Sequence, residues 1–175
     1  MLTLKGQHIF LRALESGDLD FLYELENDTS LWEVSGTTTP FSKDVLKLYL
    51  ENAHRDIYDV KQLRLCICDA KNNEIGGLID VFDFDPKNKR AGVGIVVYKS
   101  SLRNHGVATE AITILSDYVA QQLDLKQLYA NVAEDNEVSV HLFEKLGFER
   151  VGVKKDWLFF NGVYKNEILF QKILS

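Results

Sequence analysis

The sequence predicts one mixed α/β sheet with helices on its faces, and three observations carry that expectation. Short runs with the two-residue alternation of strands interleave with stretches of helical period. The run RAGVGIVVYK passes straight into a helical stretch through RNHGVATE. The chain ends in two strand-like runs joined at Asn161-Gly162, the strongest short hairpin signal. The expected order is β α α β β β α β α β β. No internal repeat, low-complexity tract or linker divides the 175 residues, so a single domain over 1–175 is expected.

HIFLRAL, residues 8–14, alternates as a strand. SGDLDFLYELEN follows with Leu19, Leu22, Tyr23 and Leu25 or Glu26 at helical spacing, capped by Ser16 or Asp18. LWEVSGTTTP reads as a polar loop ending at Pro40. Ser42 then caps a longer helix, through about Tyr58, carrying Val45, Leu46, Leu48, Tyr49 and Ala53. LRLCICDA is a strand with Cys66 and Cys68 on one face. Without CxxC spacing or a second Cys/His cluster they read as core cysteines rather than a metal or redox pair. KNNE turns the chain into IGGLIDVFDFD, whose paired glycines signal a bulge or a close approach. PKNK turns it again into RAGVGIVVYK. A helix from about Gly106 to Leu123, the strand LKQLYANVAE, a helix from Asn136 to Leu146 stopped by Gly147, and the hairpin complete the order.

Composition narrows the function. A hydrophobic fraction of 46% with 26% charged residues is that of a globular protein. The net charge of −6 argues against general nucleic-acid binding and is compatible with a cationic substrate. No apolar run nears the ~18 residues that span a bilayer, and MLTLKGQHIF lacks a signal-peptide layout, so a cytoplasmic protein is expected.

The turn RNHGVATE carries the chemistry. The first N–H groups of a helix lack internal partners and stand at its positive dipole end. A strand running into a helix through a glycine turn aims them at one point, where a phosphate binds well. Gly106 lets a phosphate approach the backbone, Ala108 keeps the second approach open, and Arg103 and His105 can add charge-assisted hydrogen bonds. The alternative is a tight turn with a solvated arginine. The segment is neither GxGxxG nor GxxxxGK[ST].

RNHGVA matches the (R/Q)xxG-x-(G/A) signature of the GNAT N-acetyltransferases, and the resemblance extends along the chain. RAGVGIVV resembles the family's fourth strand, and NVAEDNEVSVHLFEKLGF its fifth strand and following helix. NEVS with EKLGF resembles the branch that acetylates protein N-termini. RLCICDAKNNEIGGLIDVFDFDPKNKRAGVGI and FFNGVYKNE resemble bacterial spermidine acetyltransferases. The resemblance implies a mostly antiparallel mixed sheet and acetyl-CoA as co-substrate. It implies a homo-oligomer, and an amine acceptor that is a small amine or polyamine, or else a peptide N-terminus.

It also implies roles. The turn from Arg103 through Asn104, His105, Gly106, Val107 and Ala108 to Thr109 would cradle the pyrophosphate. Backbone groups of Val96, Val97 and Tyr98, beside a splay of the fourth and fifth strands, would hold the pantetheine arm and the thioester oxygen. Asn136 matches the family asparagine that contacts that arm; it also reads as a plain helix N-cap. Asp80 and Asp83 stand where spermidine acetyltransferases carry glutamates linked to amine handling, although alternation turns only one of them to a cleft unless a bulge intervenes. Glu33 and Trp32 are weaker acceptor-side candidates. Many members place a tyrosine, assigned to protonate the departing thiolate, where this chain has Phe143; Ser139 matches the serine proposed to act instead. His141 reads as a surface residue. Phe143 leaves a runner-up reading, a catalytically weak acyl-CoA-binding regulatory module. No metal site is expected.

Overall fold

The computed structural model describes residues 3–175; the expected domain 1–175 therefore includes two residues outside the described ones. The strands are β1 (Ile9–Ala13), β2 (Leu63–Asp69), β3 (Ile75–Asp85), β4 (Arg90–Val97), β5 (Gln127–Ala133), β6 (Glu149–Phe160) and β7 (Val163–Ile173). The helices are α1 (Leu19–Glu26), α2 (Trp32–Ser35), α3 (Lys43–Glu51), α4 (Ile57–Val60), α5 (Val107–Gln122) and α6 (Glu137–Lys145). They build one seven-stranded sheet in the order β1-β2-β3-β4-β5-β7-β6. Every adjacent pair is antiparallel except β4–β5, which is parallel.

Strand alternation sorts the core onto two faces. Ile79 and Val81 of β3 and Ala91 and Val93 of β4 pack with α5 residues such as Ile112, Leu115 and Val119. Leu78 of β3, with Cys66 and Cys68 of β2, packs with Leu22 and Leu25 of α1 and Leu46 of α3. The two cysteines are thus fully buried neighbours in one core, and burial pushes both thiols up.

Three local expectations need correction, and a fourth holds. The loop after Leu31 contains the single turn α2, ended by Gly36 in the left-handed region. The helix capped by Ser42 stops at Asn52, whose side chain bonds Leu48 C=O; Asp56 then starts the separate turn α4 by accepting from Tyr58 N–H. Neither Ser16 nor Asp18 caps α1 through its side chain. Asp18 is buried and accepts two hydrogen bonds from Arg12 and one from Glu15 N–H, so tertiary pairing has taken the carboxylate a cap would use. The glycine pair in β3 does mark a bulge, since Ile67 pairs with Gly77 but Cys68 with Ile75.

Candidate active site

β4 and β5 pair only at Arg90–Gln127, Ala91–Leu128 and Gly92–Tyr129. Beyond Gly92, β4 stays with β3 while β5 stays with β7, so a gap opens toward the C-terminal ends of both strands. Phe82 of β3 packs where they part. Its ring meets Tyr129 edge-on at 5.8 Å and lies so close over Gly92 that a Cβ there would come within 2.3 Å of it. The phase of the β3–β4 hydrogen bonds decides which peptide groups face the gap. Tyr98 N–H donates to Gly76 C=O at 2.8 Å, and alternation then gives Val96 and Gly94 to β3 and turns the peptides of Ile95 and Val97 to the gap.

Three cavities meet β4 beside this gap. The first, about 510 Å³, lies between the N-terminus of α5 and α6. Gly106 occupies the N-cap of α5 at φ 72°, and a Cβ built on it would meet nothing within 4 Å. The first helical bond runs from Glu110 N–H to Gly106 C=O, so the N–H groups of Val107, Ala108 and Thr109 have no helical acceptor. His141 and Lys145 of α6 close the opposite wall.

The second cavity, about 540 Å³, lies in the gap itself. Val93, Gly94 and Ile95 form one side, Asn131, Val132 and Ala133 the other, with Phe143 and Ser139 on α6. Its polar wall is Glu33, Asp135, Glu167 and Lys165. Lys165 Nζ stands 2.6 Å from Asp135 Oδ2 and also bonds Glu33, and these two contacts, Asp135 first, hold its ammonium above the usual lysine range. Glu167 pairs with Lys154 at 2.7 Å. The third cavity, about 340 Å³, opens under α1 and α2, lined by Glu26, Arg64 and Asp80. Arg64 there holds Asp80 through two contacts of 2.7 and 3.2 Å and Glu26 through one of 2.9 Å. Burial alone would favour loss of the Arg64 proton, but Asp80, with Tyr49 and Glu26, more than offsets it, so the guanidinium stays charged.

Of the residues singled out by sequence, Arg103, Asn104, Gly106, Val107, Ala108 and Thr109 line the first cavity together with Val97. His105 is exposed and lines none of the three. Arg103 turns back along the chain, donating to Val97 C=O at 3.1 Å and Tyr98 C=O at 2.9 Å. Ser139 lines both the first and second cavities, where they meet. Asn136 lines the second and accepts from Ser139 N–H at 3.3 Å, so it does cap α6. Phe143 is buried against Phe148 and Phe170 and presents part of its ring to the second cavity.

Other expected positions move. Val96 faces the third cavity, on the opposite side of β4 from the first. Tyr98 lies outside the gap, its hydroxyl donating to Asp28 at 3.0 Å and its ring edge-on to Phe21. Asp80 is not a free carboxylate, because Arg64 holds both its oxygens. Asp83 sits on a bulge at φ 48°, exposed, 3.5 Å from Tyr129 Oη and outside all three cavities. Trp32 donates its indole N–H to Glu26 C=O. Sequence reasoning missed Ile95, which lines all three cavities, and Asp135 and Lys165. The alternation of β4 contained the first; the other two are paired across the fold and left no local pattern.

The acetyltransferase (GNAT) domain pattern matches residues 8–149. The chain is 31% identical over 159 residues to a spermidine N(1)-acetyltransferase of Escherichia coli, covering 90% of this chain and 82% of that protein. The fold superposes with a TM-score of 0.86 on a spermidine N-acetyltransferase of Vibrio cholerae solved with CoA and spermine, at 27% identity over 97% of this chain and 98% of the other. A dodecameric structure of spermidine N-acetyltransferase from Vibrio cholerae gives 0.79 at 30% identity over 97% and 96%.

Proposed function

Because this chain belongs to the GNAT acetyltransferases, which move an acetyl group from acetyl-CoA to an amine, we propose that its acceptor is a polyamine or another small amine with more than one positive charge. One observation carries the reading: the gap joins a turn of unpartnered N–H groups at one end to a cavity walled by Glu33, Asp135 and Glu167 at the other. Anion and cation sites thus meet across one open strand edge. The net charge of −6 favours the approach of a polycation and disfavours nucleic acid.

The first cavity fits the pyrophosphate of the donor, since it offers a helix N-terminus and space above Gly106. Acetyl-CoA supplies the acetyl group: the amine nitrogen bonds the carbonyl carbon, the carbon–sulfur bond breaks, and the thiolate leaves to take up a proton. Val107, Ala108 and Thr109 N–H groups bind the phosphate end, while Arg103 braces the turn against β4. The gap-facing peptides of Ile95 and Val97 hold the pantetheine arm and steady charge on the acetyl oxygen. Glu33, Asp135 and Glu167 bind the distal ammonium. A free alkyl ammonium has a pKa near ~10.4, so the reacting nitrogen must lose its proton, and the same carboxylate wall accepts it through water. Ser139, where the first and second cavities meet, donates a hydrogen bond to the departing sulfur.

The test is release of free thiol from acetyl-CoA with spermidine, 1,4-diaminobutane, amino acids and N-terminal peptides side by side. Fast turnover of polyamines alone supports the reading. Turnover of peptides with none of polyamines overturns it in favour of a peptide N-terminus. No turnover of any amine would revive the weak acyl-CoA-binding module. Assembly of several copies belongs to the proposal; Trp157, Phe159 and Tyr164 expose apolar rings on the β6–β7 hairpin, and light scattering reads the mass. Among the described residues no helix is long and apolar enough to cross a membrane. Acetyl-CoA as donor makes the cytoplasm the proposed compartment.

A further inference from the structure

Lys165 places a primary alkyl ammonium inside the carboxylate wall of the second cavity. Its Nζ bonds Asp135, in the turn after β5, and Glu33, on α2 and 132 residues away in sequence. The Lys165 side chain is 24% exposed, but Glu33 is 34% and Asp135 57% exposed, so the contact stands at the open rim of the cavity, where a ligand can reach it. The group so held is chemically the same as the end of a polyamine.

The pair also spans the gap. The turn before α2 and α2 itself bury no residue. Beyond local bonds, their other described hydrogen bonds run to α1 and to the residue after β4, through Trp32 to Glu26 and Tyr98 to Asp28. Within this segment, among the described residues, only Glu33 reaches β7 by a hydrogen bond.

Building on the polyamine reading, we propose that Lys165 is an internal competitor for the acceptor site. Its ammonium occupies the Glu33–Asp135 pair, and the distal ammonium of a polycationic acceptor displaces it to bind. The consequence is selectivity. A monoamine must present its one nitrogen unprotonated at the thioester and has no second ammonium with which to displace Lys165. A diamine or polyamine has one.

The experiment compares KM and kcat for spermidine, 1,4-diaminobutane and butylamine, the last two sharing a carbon chain and differing by one ammonium. The proteins are wild type, Lys165→Gln, Lys165→Arg, and Glu33→Gln/Asp135→Asn with and without Lys165→Gln. Lys165→Gln lowers KM for spermidine and 1,4-diaminobutane by about tenfold, the scale of one charged contact, with kcat and the acetyl-CoA KM unchanged. Butylamine gains nothing or is not turned over, and Lys165→Arg behaves as wild type. In the Glu33→Gln/Asp135→Asn background the gain disappears. A spermidine KM that is unchanged or higher in Lys165→Gln, with wild type active on spermidine, overturns the competitor and leaves the polyamine reading standing. A gain that persists without the two carboxylates shows a general charge effect and also overturns it. If wild type turns over no polyamine, the polyamine reading fails and the competitor fails with it.

Discussion

The turn at Arg103–Thr109 presents backbone to its cavity, whereas the acidic end of the gap presents side chains that other side chains already hold. At the turn, three N–H groups and the open space above Gly106 are complete within a few residues. At the acidic end, Glu33 and Asp135 are tied to Lys165 and Glu167 to Lys154, as Asp80 and Glu26 are tied to Arg64 in the third cavity. A backbone site is preorganised as soon as its helix forms. A site of paired charges has to exchange partners before it can hold a ligand, and that exchange makes room for selectivity.

The comparison breaks most visibly at Gly106. Gly106→Glu forces a side chain onto a residue at φ 72° and sends a carboxylate toward the unpartnered N–H groups. Wild type gains ~2.7 kcal/mol of stability at a hundredfold excess of acetyl-CoA over Kd, and the variant gains none. An equal thermal shift in both proteins places the donor elsewhere.

Asp80→Asn comes next and acts on the fold. Arg64 loses the opposing charge, and one of its two N–H groups there meets an amide NH2 instead of an acceptor, so urea unfolding reports a loss of about 2 kcal/mol. Amine kinetics follow only as far as the third cavity relaxes. Undiminished stability with a sharply raised amine KM would instead return Asp80 to the acceptor's own binding site.

Ser139→Ala is smaller, about a tenfold fall in kcat at the weak end of general-acid effects. A thiol with a pKa near ~8.5 leaves tolerably as thiolate, so little help is required. Acetyl-CoA affinity stays nearly constant. Phe143→Tyr, whose ring already borders the second cavity, keeps the fold and partly restores the loss. Full activity of Ser139→Ala would show that thiolate departure needs no side chain. If Ser139→Ala is inactive and Phe143→Tyr restores nothing, Ser139 holds the cofactor instead.

Asp83→Asn has the smallest effect, none above twofold on amine KM. Asp83 lies on an exposed bulge at φ 48°, a backbone conformation asparagine accepts as readily, and any larger rise would bring it into the acceptor path.

The sequence alone determined what neighbouring residues settle among themselves. Asn161 and Gly162 turn the last hairpin at φ 49° and 78°, Ser42 caps α3, and Gly106 starts α5, because each conformation depends on a few adjacent dihedrals and one hydrogen bond. The family signature in RNHGVA was legible for the same reason: a backbone site occupies consecutive positions. The extent of α3 was not, since Asn52 ends it by bonding its own preceding turn while helical spacing runs on past it.

Only the tertiary structure decided which carboxylates are free. Asp80 looks available in the run LIDVFDFD until β2 brings Arg64 beside it, and Asp18 looks like a helix cap until β1 brings Arg12. The gap at β4–β5 exists because β5 leaves β4 for β7 after Gly92, a choice made by strands distant in the chain. Lys165 meets Glu33 for the same reason, across 132 residues. Local propensity acts over a few bonds, but the position of a charge, and so its partner, follows from how the sheet closes.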